Sequence, residues 1–128
     1  MIVVDTSALI AIVFNEPDAQ QYLDALANAD RVVIAAPSVL ELRTVLCRKL
    51  GRDDMFDADA LLALPSLEIA DWTADDLGFA TDALRRFGGR PASLNFGDCI
   101  VYALAKRLDA PLLYKGEDFA RTDIRPAL

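Results

Sequence analysis

A chain of 128 residues, 54% of them hydrophobic, is long enough to bury a proper core, and its net charge of −7 argues against a general electrostatic grip on nucleic acid. The absence of any histidine excludes Ser-His-Asp, Cys-His and His-metal chemistry, so catalysis must run on carboxylates, hydroxyls, lysine or a metal. Cys47 and Cys99 both fall inside apolar helical patterns and read as small hydrophobes of a reducing compartment, neither a disulfide framework nor a zinc site.

The chain opens on Met1-Ile2-Val3-Val4, a run of apolar, mostly β-branched residues that reads as a buried parallel strand. Thr6-Ser7 then reads as the N-cap of a helix over residues 7–14, closed by Asn15-Glu16-Pro17. Asp18 caps a second helix to about residue 27, with Tyr22, Leu23 and Leu26 on its inner face. Residues 31–36 are the second strand, and Pro37 begins a helix that runs to Leu50 and ends at Gly51. An amphipathic helix over 55–64, a brief third strand over 67–70 and a helix over 74–87 stopped by Gly88-Gly89 follow. A helix over 95–108 and a fourth strand over 111–114 complete the pattern, and the tail from Gly116 reads as loop with a short edge strand near Ile124. Alternating strands and helices with short connections predict an α/β fold: a mostly parallel sheet of four to five strands flanked by helices, one domain over 1–128. No basic region precedes the first apolar run, and the uncharged part from residue 6 to 14 is too short to cross a bilayer, so the expected location is the cytoplasm.

Most of the 20 acidic residues lie on polar faces or in turns and need no special explanation. Asp5 is different, because it sits at the carboxyl end of a central strand, the edge of an open α/β sheet where ligands bind. A helix cap is the plainer role for Asp5, but Thr6 and Ser7 can already fill it. Glu41 lies early in the helix after the second strand, at the same edge, although a solvated face shared with Arg43, Arg48 and Lys49 would also account for it. Asp98 follows Asn95-Phe96-Gly97 at the start of a helix that is apolar nearly all round; it fits the N3 position of a capping box and also points into the crevice. Asp118 follows the fourth strand, with Glu117 beside it as a competitor. Four acids converging at one edge need a counter-charge, since two like charges about 4 Å apart repel by roughly 4 kcal/mol at an effective dielectric of about 20. An all-oxygen, histidine-free set selects Mg²⁺ or Mn²⁺, and the matching chemistry is phosphodiester hydrolysis.

These residues resemble those of the PIN-domain ribonucleases, and within them the toxin subunit of VapBC toxin–antitoxin pairs. Val4-Asp5-Thr6-Ser7-Ala8-Leu9, Asn95-Phe96-Gly97-Asp98-Cys99 with Tyr102-Ala103, and Leu112 through Phe119 with Thr122-Asp123-Ile124 carry the match, in an order and spacing that span essentially the whole chain. The resemblance implies a PIN-like three-layer fold, Mg²⁺-dependent endonucleolytic cleavage of RNA with Mn²⁺ able to substitute, a homodimer, and neutralisation by a VapB-type antitoxin through which alone DNA would be bound. By position it implies Asp5 and Asp98 as metal ligands, Glu41 as the residue that aligns or activates water, and Asp118 or Glu117 as the fourth acid. Thr6 or Ser7 would orient Asp5. Lys115-Gly116 departs from the threonine–asparagine pair that many relatives carry.

Two rivals share parts of this pattern. A phospho-accepting receiver domain also has a lysine after a late strand, here Lys115, but needs a carboxylate pair after the first strand, where this chain has Asp5 alone. A non-catalytic metal-dependent binding module would need a second serine where Leu9 stands. Substrate choice would fall to arginines around the acids, for which Arg43, Arg48, Arg85, Arg86 and Arg90 are candidates.

Overall fold

The two-residue period of an extended chain sorts the first strand, β1 (Ile2–Val4), between two cores, Val3 packing on one side and Val4 on the other. β2 (Val32–Ala35) is sorted alike: Val33 and Ala35 join Val3, while Val32 and Ile34 join Val4. In the computed structural model, which describes residues 1–51 and 55–128, β3 (Leu67–Ala70) and β4 (Leu112–Leu113) complete a four-stranded parallel sheet in the order β3-β2-β1-β4. Val3 faces Val33 on one side and Leu112 on the other, which makes β1 a central strand, as its apolar run requires.

Helices α1 (Thr6–Val13), α2 (Ala19–Asn28), α3 (Ala36–Leu50) and α4 (Phe56–Leu62) cover the Val4 face, and α5 (Leu77–Phe87) and α6 (Phe96–Leu108) cover the Val3 face. Their sequences explain the burial. In α2, Tyr22 and Leu26 are buried one turn apart while Gln20, Gln21 and Asp24 stay exposed. In α6 every residue from Val101 to Ala105 is buried, so this helix is enclosed nearly all round. α3 ends where Gly51 turns left-handed at φ 67°, its N–H donating to the Cys47 carbonyl. Cys99 is buried and Cys47 half-buried, both as free thiols. Among the described residues, no helix is long and apolar enough to cross a membrane.

The structure differs from the expectation in several places. Leu23, expected on the inner face of α2, is exposed, because the buried stripe of that helix runs through Ala19, Tyr22 and Leu26. Asp5, not Thr6 or Ser7, is the N-cap of α1: its backbone is extended, as the end of a strand must be, and its carboxylate accepts the Ser7 N–H. α3 starts at Ala36, directly from β2, with Pro37 in its first turn. The expected helix over 74–87 opens instead as a 3₁₀ turn, Ala74–Asp76, because Asp76 turns fully inward to accept from Arg107 Nε at 2.5 Å and from the Thr73 N–H at 2.9 Å. In the tail, a 3₁₀ turn at Phe119–Arg121 and a parallel bridge from Pro126 to Leu112 stand in place of a strand near Ile124; buried Phe119 and Ile124 hold it down.

The topology locates the crevice. From β1 through β2 to β3 the chain steps outward over one face, then returns through α5 and α6 over the other face to place β4 on the far side of β1. Winding therefore reverses between β1 and β4, and the strand ends and helix N-termini open a cleft there.

Candidate active site

Asp5 stands at the carboxyl end of β1, only 5% exposed. Its Oδ2 accepts both the Ser7 N–H at 3.0 Å and the Ser7 hydroxyl at 2.5 Å. The same Ser7 Oγ accepts the backbone N–H of Lys115 at 2.9 Å, so one hydroxyl joins the end of β1 to the segment after β4. Thr6 serves a different acid: its hydroxyl donates to Glu41 Oε1 at 2.6 Å, tying the second turn of α3 to the start of α1. Burial holds the Asp5 carboxyl above its ordinary range, the Ser7 hydrogen bonds pull it back in part, and repulsion from Glu41 raises it further.

Helix α6 precedes β4 and runs against the strands, so its N-terminus lies at their carboxyl edge, where Asn95 caps it. The Asn95 side chain accepts the Asp98 N–H at 2.8 Å, and Asp98 Oδ2 accepts the Asn95 N–H at 3.0 Å, a complete capping box. Asp98 is nonetheless poised for more. Burial pushes its pKa up to about 6, and repulsion from Asp5, Asp118 and Glu41, in that order, adds to the rise against the relief given by the Asn95 N–H. Three other carboxylates therefore act on this one. Gly97 makes their approach possible, since a Cβ there would stand 2.1 Å from Glu41 Oε2 and 3.5 Å from Asn95 Oδ1. A groove of about 430 Å³ runs on from Glu41 past Leu40, Arg48, Phe96, Gly97 and Ile100.

The sequence matches the PIN domain family over residues 2–125. The chain belongs to the PIN-domain family. Ribonuclease VapC28 of Mycobacterium tuberculosis is 44% identical to it over 131 residues, covering 98% of this chain and 97% of that protein. Ribonuclease VapC30 of the same species is 40% identical over 125 residues, covering 95% of each. Among solved structures, VapC20 of Mycobacterium tuberculosis, a Sarcin-Ricin loop cleaving toxin, superposes with a TM-score of 0.77 at 21% identity, over 98% of this chain and all of that one. VapBC2 from Rickettsia felis, bound to a DNA fragment from its promoter, gives 0.75 at 20% identity over 98% and 96%. The three-layer fold of this PIN domain is thus shared with solved VapC toxins.

The expected acids of this PIN domain divide clearly. Glu41 acts on Asp5, and Asp5, Asp118 and Glu41 act on Asp98, whereas the field of Glu117 is felt at Tyr114; Glu117 and Asp118 are both exposed. Of the two hydroxyls expected to orient Asp5, Ser7 does so and Thr6 holds Glu41. Lys115 does not reach toward Asp5 as a receiver lysine would; its ammonium donates to Glu16 and, at 2.9 Å, to Asp18. Among the described residues, Arg43 pairs with Asp59 at 2.9 Å and Arg86 with Asp82 at 3.1 Å, while Arg48 lines the groove beside Glu41. Sequence reasoning passed over Gly97. A glycine in the first turn of an otherwise apolar helix, one residue before a carboxylate, is the signal that marks a close approach.

Among the described residues, no three His, Cys, Asp or Glu side chains form a ready-made metal cage. The all-oxygen donor set suits a hard divalent cation all the same. Mg²⁺ is held through one or two carboxylates and keeps several waters, and Asp5 and Asp98 are two oxygen donors each secured through Oδ2 and each raised in pKa by burial among like charges.

Proposed function

We propose that this chain is a metal-dependent endoribonuclease and the toxin of a toxin–antitoxin pair, acting in the cytoplasm. The observation that carries the reading is Asp98, whose carboxyl is pushed to about 6 by burial and by Asp5, Asp118 and Glu41 together at the winding reversal of the sheet. The names of the relatives, ribonucleases at 40 to 44% identity over nearly full length, support the same activity. Asp5 and Asp98 would hold Mg²⁺, with Mn²⁺ able to substitute. A divalent cation supplies a more acidic water and stabilises the oxyanions of an in-line displacement at phosphorus.

The residues of the chain do the rest. Ser7 holds one oxygen of Asp5, and the Asn95 N–H holds one oxygen of Asp98, so neither carboxylate spends entropy finding its orientation. Glu41, gripped at Oε1 by Thr6, is the base that takes a proton from the attacking water. Asp118 completes the negative field. RNA enters along the groove beside Glu41, where Arg48 meets the phosphate backbone. The chain works as a homodimer, and its partner is a VapB-type antitoxin that offers an arginine to the acids, a planar fork able to bond two carboxylate oxygens at once.

Asp98→Asn tests the core of this reading. The amide keeps an oxygen to accept the Asn95 N–H but loses the charge, so the fold should survive while Mg²⁺-dependent cleavage of RNA falls by about 10³ or more. Cleavage by the variant at the parental rate in excess chelator would refute it.

A further inference from the structure

We propose that Lys115 is a positioning residue for Asp5, acting through Ser7; this rests on the reading of Asp5 and Asp98 as holders of a divalent cation. Lys115 is joined to the molecule at both ends. Its backbone N–H donates to Ser7 Oγ at 2.9 Å, and its ammonium donates to Glu16 and to Asp18 Oδ1 at 2.9 Å. Asp18 is itself anchored, because its other oxygen accepts the hydroxyl of Tyr22 at 3.1 Å, and Tyr22 is a core residue. A line of hydrogen bonds thus runs from the core of α2, through the turn after α1, to the segment after β4.

The chemistry of a hydroxyl makes the backbone bond matter. Ser7 Oγ has one hydrogen and two lone pairs. With the Lys115 N–H donated into a lone pair, the Ser7 hydrogen is left pointing at Asp5 Oδ2, which it meets at 2.5 Å. Free of Lys115, the hydroxyl would have no partner fixing its rotation, and its bond to Asp5 Oδ2 would lose its single orientation. The side chain of Lys115 keeps its own N–H in place: Gly116 follows at φ 104°, a conformation that favours glycine, so without the ammonium clamp the segment between β4 and Asp118 has a soft joint where it turns.

The sign of the effect separates this role from plain electrostatics. Removing this positive charge should tighten cation binding if Lys115 acts only through its field, and should weaken it if Lys115 holds Asp5 in place. Mn²⁺ binding to the full chain, measured by calorimetry without RNA, reads the difference. Lys115→Met should raise the Mn²⁺ dissociation constant by about tenfold, the usual scale for losing an outer-shell partner of a ligand. Lys115→Arg, which keeps the clamp, should restore it. Ser7→Ala should weaken binding as much as Lys115→Met, and the double variant should be no worse than either, since both break one line of bonds. Unchanged or tighter binding by Lys115→Met overturns the proposal, as does full additivity in the double variant. Should Lys115→Met unfold, judged by circular dichroism, Lys115→Gln takes its place under the same criteria. The parent protein is the arm that separates the two levels: if it binds no Mn²⁺ at all, the metal reading itself fails, and the role of Lys115 falls with it.

Discussion

Asp98 carries two duties that pull against each other. As the N3 residue of a capping box it secures the start of α6, and as one of four neighbouring acids it bears a charge that the site does not welcome. Its folded pKa of about 6 lies above the ordinary 3.8, so the unfolded chain loses this proton first. Stability from the group is full below about 3.8 and is lost as the pH rises through about 6; Asp5, also raised, contributes in the same direction. Without metal, the melting temperature should therefore fall across this window by more in the parent than in Asp98→Asn. Millimolar Mg²⁺, which needs the ionised carboxylates, should recover the loss at the upper end. A metal-free parent whose melting curve follows the same pH profile as Asp98→Asn would remove the case for a strained acidic cluster.

At the scale of elements, the site depends on how closely two helices meet. The second turn of α3 brings Glu41 against the first turn of α6, and the contact exists only because residue 97 has no Cβ. Gly97→Ala should therefore split stability from activity. Alanine is favoured over glycine in a helix by up to about 1 kcal/mol, and the group it displaces is the end of a flexible side chain, so the melting temperature should hold or rise. Glu41 must swing aside and give up Thr6, and a displacement of about 1 Å in such a group costs on the order of 10² in rate. Equal cleavage by parent and Gly97→Ala would show that Glu41 needs no fixed position. On the far side of α6, the buried Asp76 with Arg107 ties that helix to the turn before α5. It stabilises the layer that carries Asp98 without facing the acids.

For the whole molecule, charge and exposed apolar surface point to partners. At −7, a protein with clustered acids is better suited to a basic peptide than to RNA unaided. A bound antitoxin that places an arginine among Asp5, Asp98 and Glu41 should weaken Mn²⁺ binding, and changing that arginine to alanine should restore it in calorimetry. Equal metal affinity with and without antitoxin would mean that inhibition comes from blocking the RNA groove. Apolar side chains stand out at Leu77, Leu84 and Phe96, the last 85% exposed, along a groove of about 510 Å³ toward α5 that lies beyond the groove beside Glu41. Such a continuous face suits a second copy of the chain. The parent should sediment as a dimer and Phe96→Asp as a monomer; a variant that stays dimeric would place the contact elsewhere.

The sequence by itself determined what depends on near neighbours. The β-branched run before Asp5 put that carboxylate at a strand end, Asn95 and Asp98 at three residues' spacing formed the capping box, and apolar periodicity arranged strands and helices in their observed order. Each follows from a repeat or a hydrogen bond spanning four residues or fewer. Tertiary structure alone decided which hydroxyl serves which acid, which carboxylates raise Asp98, and where Lys115 is held. Thr6 meets Glu41 across 35 residues and Ser7 meets Lys115 across 108. Such pairs form because β4 docks beside β1 and α3 closes on α6, and no local period encodes which strand lies next to which.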